Sequence, residues 1–246
     1  MSHHTRVGGA WKKTNGIFVR DSGSWKEVQN GYVNQGGVWK KFHSKVAATA
    51  SYVTGGGASS SSQVSPAWPS QAQVGDLLLF VGMNHYTAGG QVGSSLTGWT
   101  AVTGAASYAN VFAKIVTADD ISSKKALSIS GGVVLAWCLV RGTFTKFTVA
   151  DAQVMGRMLA ASSPTTLTVN QPAGLNVVFI AAGNANSALS SVTGTVTTDA
   201  DSKLVYYPGT AFKAYAVVQT GGTSKALRAT WSGNQTTMIG CCLELT

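Results

Sequence analysis

The sequence predicts an all-β protein: an N-terminal meander of β-hairpin repeats, then a two-half, internally duplicated β-sandwich that is jelly-roll-like. Three observations predict it. Trp11, Trp25 and Trp39 recur 14 residues apart, each in the frame Gly-x-Trp-Lys, and a strict short period marks a structural repeat. Charged residues make up only 11% of the 246-residue chain, and Gly, Ser, Thr, Val and Ala take their place, as in strands joined by many turns. The apolar runs are short and bounded by turn residues, which suits central strands covered on both faces.

The repeats come first. Phe18-Val19 precedes Trp25 by the same distance as Tyr32-Val33 precedes Trp39. Residues 17–20 and 25–28 read as one hairpin turning at Asp21-Ser22-Gly23. Residues 31–34 and 39–42 read as the next, entered by an Asn30-Gly31 turn and turning at Gln35-Gly36-Gly37; glycines supply the positive φ that tight turns need. In the first copy Thr5-Arg6-Val7 replaces the aromatic-Val pair, and terminal repeats are often atypical because they cap a stack. The module is expected to span 1–45, too little chain to bury its own tryptophans. Trp11, Trp25, Trp39, Phe18 and Tyr32 are therefore the expected attachment or oligomerisation residues. The competing reading is that the meander packs on its own C-terminal domain.

Residues 46–246 read as the sandwich, with 46–53 its first strand and the Gly/Ser tract 55–64 a loop. Residues 76–81, 133–140 and 176–182 are expected as central strands, and 108–116 as a half-exposed one. The one helical candidate is 151–161, weakened by Gly156. The domain looks duplicated, in pseudo-repeats of about 70–145 and 170–246. Gly75-Asp76-Leu77-Leu78-Leu79-Phe80-Val81 resembles Gly174-Leu175-Asn176-Val177-Val178-Phe179-Ile180, and Lys125-Ala126-Leu127 returns as Lys225-Ala226-Leu227. Val134-Leu135-Ala136-Trp137-Cys138-Leu139 likewise matches Met238-Ile239-Gly240-Cys241-Cys242-Leu243.

The net charge of +9 is uneven: residues 1–45 carry eight Lys or Arg against Asp21 and Glu27. Each lysine simply follows its tryptophan, as a solvated residue beside a packed one does, so nucleic acid is not an expected partner. No apolar stretch is long enough to span a membrane. Residues 1–6 have no apolar core of a signal peptide, so synthesis in the cytoplasm is expected. Cys138, Cys241 and Cys242 form no C-x-x-C pair and are expected as buried free thiols, the last two on opposite faces of one strand.

Catalysis needs convergent titratable groups. The large domain has one histidine, His85, and seven acids: Asp76, Asp119, Asp120, Asp151, Asp199, Asp201 and Glu244. No nucleophile elbow, phosphate loop or EF-hand spacing is present. Asp119-Asp120 and Asp199-Ala200-Asp201 read as solvated loop acids. The expectation is a non-enzyme without cofactor or metal. The alternative from another class is a polysaccharide depolymerase, which needs two carboxylates facing across a sugar. Aromatic side chains in or beside loops suit sugar binding: Trp68, His85, Tyr86, Trp99, Tyr206, Tyr207 and Trp231. Trp99 and Trp231 are expected to plug the sandwich ends, which leaves His85, Tyr86, Tyr206 and Tyr207 as the candidate glycan-binding residues.

Phe18-Val19-Arg20-Asp21-Ser22-Gly23-Ser24-Trp25-Lys26-Glu27-Val28 and Tyr32-Val33-Asn34-Gln35-Gly36-Gly37-Val38-Trp39-Lys40 resemble short repeats of tailed-bacteriophage virion proteins. Gly75 to Phe80, Gly98-Trp99-Thr100 and Phe112 to Asp120 resemble β-sandwich domains of phage minor tail and tail-fibre proteins. The resemblance covers most of the chain through short motifs. It implies a non-enzymatic virion structural protein, a tail-fibre or tail-tip component that anchors by its repeats and displays the sandwich to the host surface. Other virion proteins, sister subunits (a trimer is favoured) and a host glycan are the implied partners. A head or collar fibre or decoration protein without ligand is the runner-up.

Overall fold

A computed structural model describes residues 3–7, 10–14, 18–21, 23–28, 30–44, 48–59, 65–83, 96–103, 109–128, 134–155, 165–184, 193–197, 203–206, 212–221, 223–232 and 236–246. The chain is almost wholly β and divides into two compact units, Met1–Ala47 and Ala48–Thr246.

The first unit is three two-stranded antiparallel sheets: β1 (His3–Val7) with β2 (Ala10–Thr14), β3 (Phe18–Asp21) with β4 (Ser24–Glu27), and β5 (Asn30–Gln35) with β6 (Val38–Ser44). Their registers superimpose on the 14-residue period. Trp11 pairs with Arg6, Trp25 with Arg20 and Trp39 with Asn34. Gly36 and Gly37, between the paired Gln35 and Val38, have φ of 66° and 83°, the two positive values of the turn that matches strand twist. Asn30-Gly31, expected as a turn, is instead the start of β5. Phe42 is bulged out of the ladder between the Gly31–His43 and Tyr32–Lys41 pairs, and that bulge lets the pairing run on to Ser44.

The second unit is layered. Its first five-stranded sheet has the order β7 (Ala50–Ser59), β11 (Val134–Gly142), β8 (Leu77–Met83), β10 (Ala109–Ile115), β9 (Thr100–Ala101). Its second has β12 (Phe147–Met155), β19 (Thr236–Leu245), β14 (Leu175–Asn184), β17 (Phe212–Thr220), β16 (Lys203–Tyr206). A three-stranded sheet, β13 (Thr165–Gln171), β18 (Lys225–Ser232), β15 (Thr193–Thr197), completes the set. The main core lies between the five-stranded sheets, where Leu77, Leu79, Val81 and Cys138 meet Val177, Phe179, Ile239 and Cys241. The three-stranded sheet covers the outer face of the second sheet over Leu167, Val169, Val178 and Ile180. The outer face of the first is covered by segments bearing Trp68, Ala72, Leu96, Trp99 and Ile121.

The two five-stranded sheets are equivalent strand for strand. Even a β-bulge recurs: Val53 is skipped between Thr54 and Tyr52 opposite β11, and Ala150 between Asp151 and Val149 opposite β19. The strands that share this order run from β7 to β11 and from β12 to β19. The register also corrects the sequence match by one residue. Phe80 faces the outer cluster and Phe179 the inner one, so they are not equivalent. Aligning the inward residues equates Leu79 with Phe179, Asp76 with Asn176, Trp137 with Gly240 and Arg141 with Glu244. A one-residue slip flips every side chain to the other face. Leu127 and Leu227, of the two Lys-Ala-Leu segments, are both buried in the outer layers.

Several elements differ from expectation. Gly55, Gly56 and Gly57 lie within β7 rather than in a loop; residues 60–64 lie outside the described set. A Cβ on Gly56 would come within 3.0 Å of the Trp137 indole that lies opposite, so the glycine makes room for the ring. Strand β7 begins at Ala50, not at residue 46. Asp151 to Met155 belong to β12 and not to a helix; residues 156–161 are outside the described set. Strand β10 is buried on both faces over Ala109 to Ala113, because the segments bearing Trp99 and Ile121 cover the outer one. Asp119-Asp120, expected in a loop, lie in a short helix, α1 (Ala118–Ser123). Its start is a capping box: the Asp120 N–H donates to Thr117 Oγ1, and the Thr117 N–H donates to Asp120 Oδ2 at 2.9 Å. All three cysteines are buried free thiols, with Cys241 in the inner core and Cys242 in the outer one.

Candidate functional site

Two surfaces carry chemistry. On the first unit, Tyr32 is 52% and Trp39 68% exposed. The register sets them diagonally on one face of the β5–β6 hairpin, since Tyr32 pairs with Lys41 and Trp39 with Asn34. The other face carries the exposed Val38 beside Lys40, whose Nζ donates to Gln35 Oε1 at 3.0 Å. Phe18 and Trp25 hold the equivalent register positions in β3–β4, and Trp11 in β2; their side chains lie outside the described set. A lone hairpin has no second layer with which to cover an indole.

The second surface is a groove of about 570 Å³ on the outer side of the first five-stranded sheet. Trp68, Trp99, Lys114, Asp119, Ser122 and Lys125 line it. Its floor is built from apolar packing: Trp99 meets Phe80 edge-on with ring centroids 4.8 Å apart, and Phe80 stacks on Phe112 at 5.4 Å. Trp99 is thus half-buried against the sheet, in keeping with a packing role. Lys114 Nζ lies 5.3 Å from the Trp99 ring and 2.6 Å from Asp120 Oδ1. Burial pushes the Asp120 carboxyl up, but the Lys114 ammonium and the hydrogen bonds from Thr117 outweigh it and hold it below the usual carboxylate range. The buried Trp68 Nε1 has no hydrogen-bond partner among the described residues. The groove therefore offers indole surface, lysines, a carboxylate and serine hydroxyls, which is a set suited to a polyhydroxylated ligand.

The sequence named Trp68 and Trp99 among its loop aromatics but missed Lys114, Asp119 and Ser122 as their neighbours. The legible signal was Thr117-Ala118-Asp119-Asp120, a helix-capping pattern that folds the acids back beside β10. Of the expected glycan residues, His85, Tyr86 and Tyr207 lie outside the described residues. Tyr206 ends β16, paired with Ala214, and only its backbone is described; the same holds for Trp231 in β18. Two further acids are held within the fold. Asp76 is ion-paired with Arg141 at 2.8 Å, and Asp151 accepts hydrogen bonds from the Asn170 N–H and from Gln153. Asp199 and Asp201 lie outside the described residues. Among the described residues no group of three or more His, Cys, Asp or Glu is placed to hold a metal ion, and no helix is long and apolar enough to cross a membrane.

The architecture is thus that of a layered β-sandwich unit preceded by a unit of register-matched hairpins, the third of which exposes Tyr32 and Trp39. No family model, curated protein or solved structure matches the chain.

Proposed function

We propose that this chain is a bacteriophage virion structural protein, a tail-fibre or tail-tip component. Its N-terminal hairpins anchor it to the particle or to sister subunits, and its sandwich, read as a duplicated jelly roll, is displayed for recognition of a host-surface glycan. The observation that carries the reading is the exposure of Trp39 and Tyr32 on a hairpin whose register repeats with the 14-residue period. An aromatic side chain buries 150–250 Å². Covering the exposed two-thirds of Trp39 removes on the order of 100–170 Å² from water, or about 2.5–4 kcal/mol before ordering costs. Copies at a fixed interval multiply such contacts by raising effective concentration. The groove between Trp68 and Trp99 supports the recognition half of the reading, since loops on a rigid sandwich are where binding residues gather. The strand order shared by the two five-stranded sheets supports the duplicated jelly roll.

The test is particle assembly with Trp11, Trp25 and Trp39 all replaced by Ala. The expected outcome is loss of the protein from purified particles while the near-ultraviolet circular dichroism of the sandwich persists. Unchanged incorporation refutes the anchor. A glycan array probed with the full chain is expected to show binding that Trp68→Ala weakens, and binding that leaves Trp68 and Trp99 untouched moves recognition elsewhere.

A further inference from the structure

The first unit gathers exposed apolar surface and positive charge on one short stretch of chain. Tyr32, Val38 and Trp39 are three of the five large apolar side chains left exposed among the described residues, and all three lie on the β5–β6 hairpin. They are split between its faces, Tyr32 and Trp39 on one and Val38 on the other. Residues 1–45 carry eight Lys or Arg against two acids, Asp21 and Glu27. The registers spread that charge with the regularity of the tryptophans. Arg6 pairs with Trp11 and Arg20 with Trp25, while Lys41, two positions beyond Trp39, pairs with Tyr32. Paired positions share a face, so each tryptophan has a basic position beside it on its own face. Lys12, Lys26 and Lys40 directly follow the tryptophans, and successive strand positions alternate between faces. The hairpins therefore carry basic positions on both faces. Of these residues Arg20, Lys26 and Lys40 are exposed.

Charge and shape decide what covers such a hairpin. A second copy brings the same excess of cations against this one, and like charges set face to face repel at contact, inside a screening length of about 8 Å. A single-stranded nucleic acid stacks its bases on aromatic faces, which suits Tyr32 and Trp39. Val38 has no π-face, so the other side of the hairpin offers a base no platform. A protein surface with carboxylates set around apolar groups meets both demands. Its apolar groups cover Trp39, Tyr32 and Val38, and its carboxylates face the cations on either side.

We infer that the β5–β6 hairpin, with its register equivalents β3–β4 and β1–β2, docks on an acidic protein surface and not on a second copy of this chain. Tyr32 and Trp39 supply the buried contact. Arg20, Lys26 and Lys40 steer the approach and select the partner by charge. On the reading of the repeats as an anchor, on which this rests, the mount is an acidic component of the particle.

The probes are a glutamate–tyrosine random copolymer, a lysine–tyrosine random copolymer and a single-stranded oligothymidylate, each titrated onto the immobilised full chain by biolayer interferometry. Saturable binding is expected, tightest for the glutamate–tyrosine copolymer. Raising salt from about 0.1 M to about 1 M is expected to weaken it by about tenfold or more. Arg20→Glu, Lys26→Glu and Lys40→Glu together are expected to weaken it by about tenfold or more at constant salt, and the neutral set Arg20→Gln, Lys26→Gln and Lys40→Gln by less. Trp39→Ala is expected to weaken it without changing its salt dependence. All three cations are exposed, so unchanged circular dichroism is expected for both sets. No binding of the acidic copolymer overturns the inference, as does binding of either other probe that is as tight or tighter. Unchanged binding by the charge-reversed set overturns it too, and so does self-association in sedimentation velocity that Trp39→Ala removes. Particle assembly separates this failure from failure of the anchor. If particles lose the chain with Trp11, Trp25 and Trp39 replaced by Ala but keep the charge-reversed one in full, the anchor stands and the acidic partner is refuted. If they keep the tryptophan variant, the anchor itself is refuted.

Discussion

Replacing Arg141 with Met isolates the value of its ion pair, because the thioether retains most of the aliphatic stem's packing and removes only the guanidinium. Three hydrogen bonds disappear, two of them to a carboxylate that is 2% exposed. Asp76 keeps the Gln73 N–H, 2.8 Å from Oδ2, which cannot balance a full buried charge. Removing one partner of a buried pair costs about 3–5 kcal/mol. The Arg141 side chain is 36% exposed, so water already screens part of the pair and the lower end, about 3 kcal/mol, applies. For a unit of this size that corresponds to a fall in melting temperature of roughly 6–12 °C. The second arm is Asp76→Asn in the Arg141→Met background, which leaves an amide where Asn176 stands in the other half. With no charge left to strand, the double variant is expected to recover at least about 1 kcal/mol relative to the sum of the single variants. Urea denaturation of the full chain followed by tryptophan fluorescence measures all three. A cost below about 1 kcal/mol for Arg141→Met would class the pair with ordinary exposed ones and refute the reasoning.

Three further outcomes are expected. Gly142→Ala should cost more than about 4 kcal/mol, because its Cβ would strike the Thr49 carbonyl, which is backbone and cannot yield. Gly75→Ala, with φ of 92° and open space around the new methyl, should cost only about 1–2 kcal/mol; equal costs in chemical denaturation would contradict this ranking. Stability should fall as pH rises above about 9. Burial first, and then the nearby Glu244 and Asp151 carboxylates, push the Cys242 thiol up from 9.0 to about 12. The unfolded chain therefore releases a proton that the fold retains, and stability is lost between those values. Flat stability to pH 11 in short-exposure melts would disprove it. Asp120 gives the opposite sign at the acid end: stability is complete above 3.8 and lost as pH falls through its lowered folded value. Lys114→Met should flatten that acid limb.

The all-β class and the positions of β8, β11 and β14 were legible because their apolar runs are long enough to need cover on both faces. The hairpins were legible from the period alone. What escaped the sequence depends on partners far away in the chain. Gly55-Gly56-Gly57 reads as a loop until Trp137 is known to lie across from Gly56. The end of β12 reads as helical because its bulge at Ala150 breaks the two-residue alternation. The likeness of the two apolar runs was visible, but the facing of their side chains was one residue out of frame. The likeness of Phe80 to Phe179 is chemical, whereas the equivalence of Leu79 to Phe179 is one of facing. The groove was half legible: its indoles stand out in the sequence, but the lysine and acids beside them depend on α1 folding back at Thr117.

The way the halves differ says where recognition chemistry can reside. Their inward faces answer one constraint, a shared interior, and they hold matching small residues there: Ala113 with Ala216, and Cys138 with Cys241. Their outward faces are each free to find a different cover. In the second half the cover is a three-stranded sheet lying so close that a Cβ on Gly240 would come within 2.8 Å of Val169 and 2.9 Å of Leu167. In the first half the equivalent position is Trp137, whose indole fills its own part of the layer, and the remaining cover is irregular. A regular sheet satisfies its backbone within itself and leaves little relief. An irregular cover leaves side chains and gaps, and the groove at Trp68 and Trp99 lies in that layer. Binding to an extended ligand is therefore to be sought on the first half's outer side. The second half's outer side, where the three-stranded sheet packs over Val178 and Ile180, is left to hold the core.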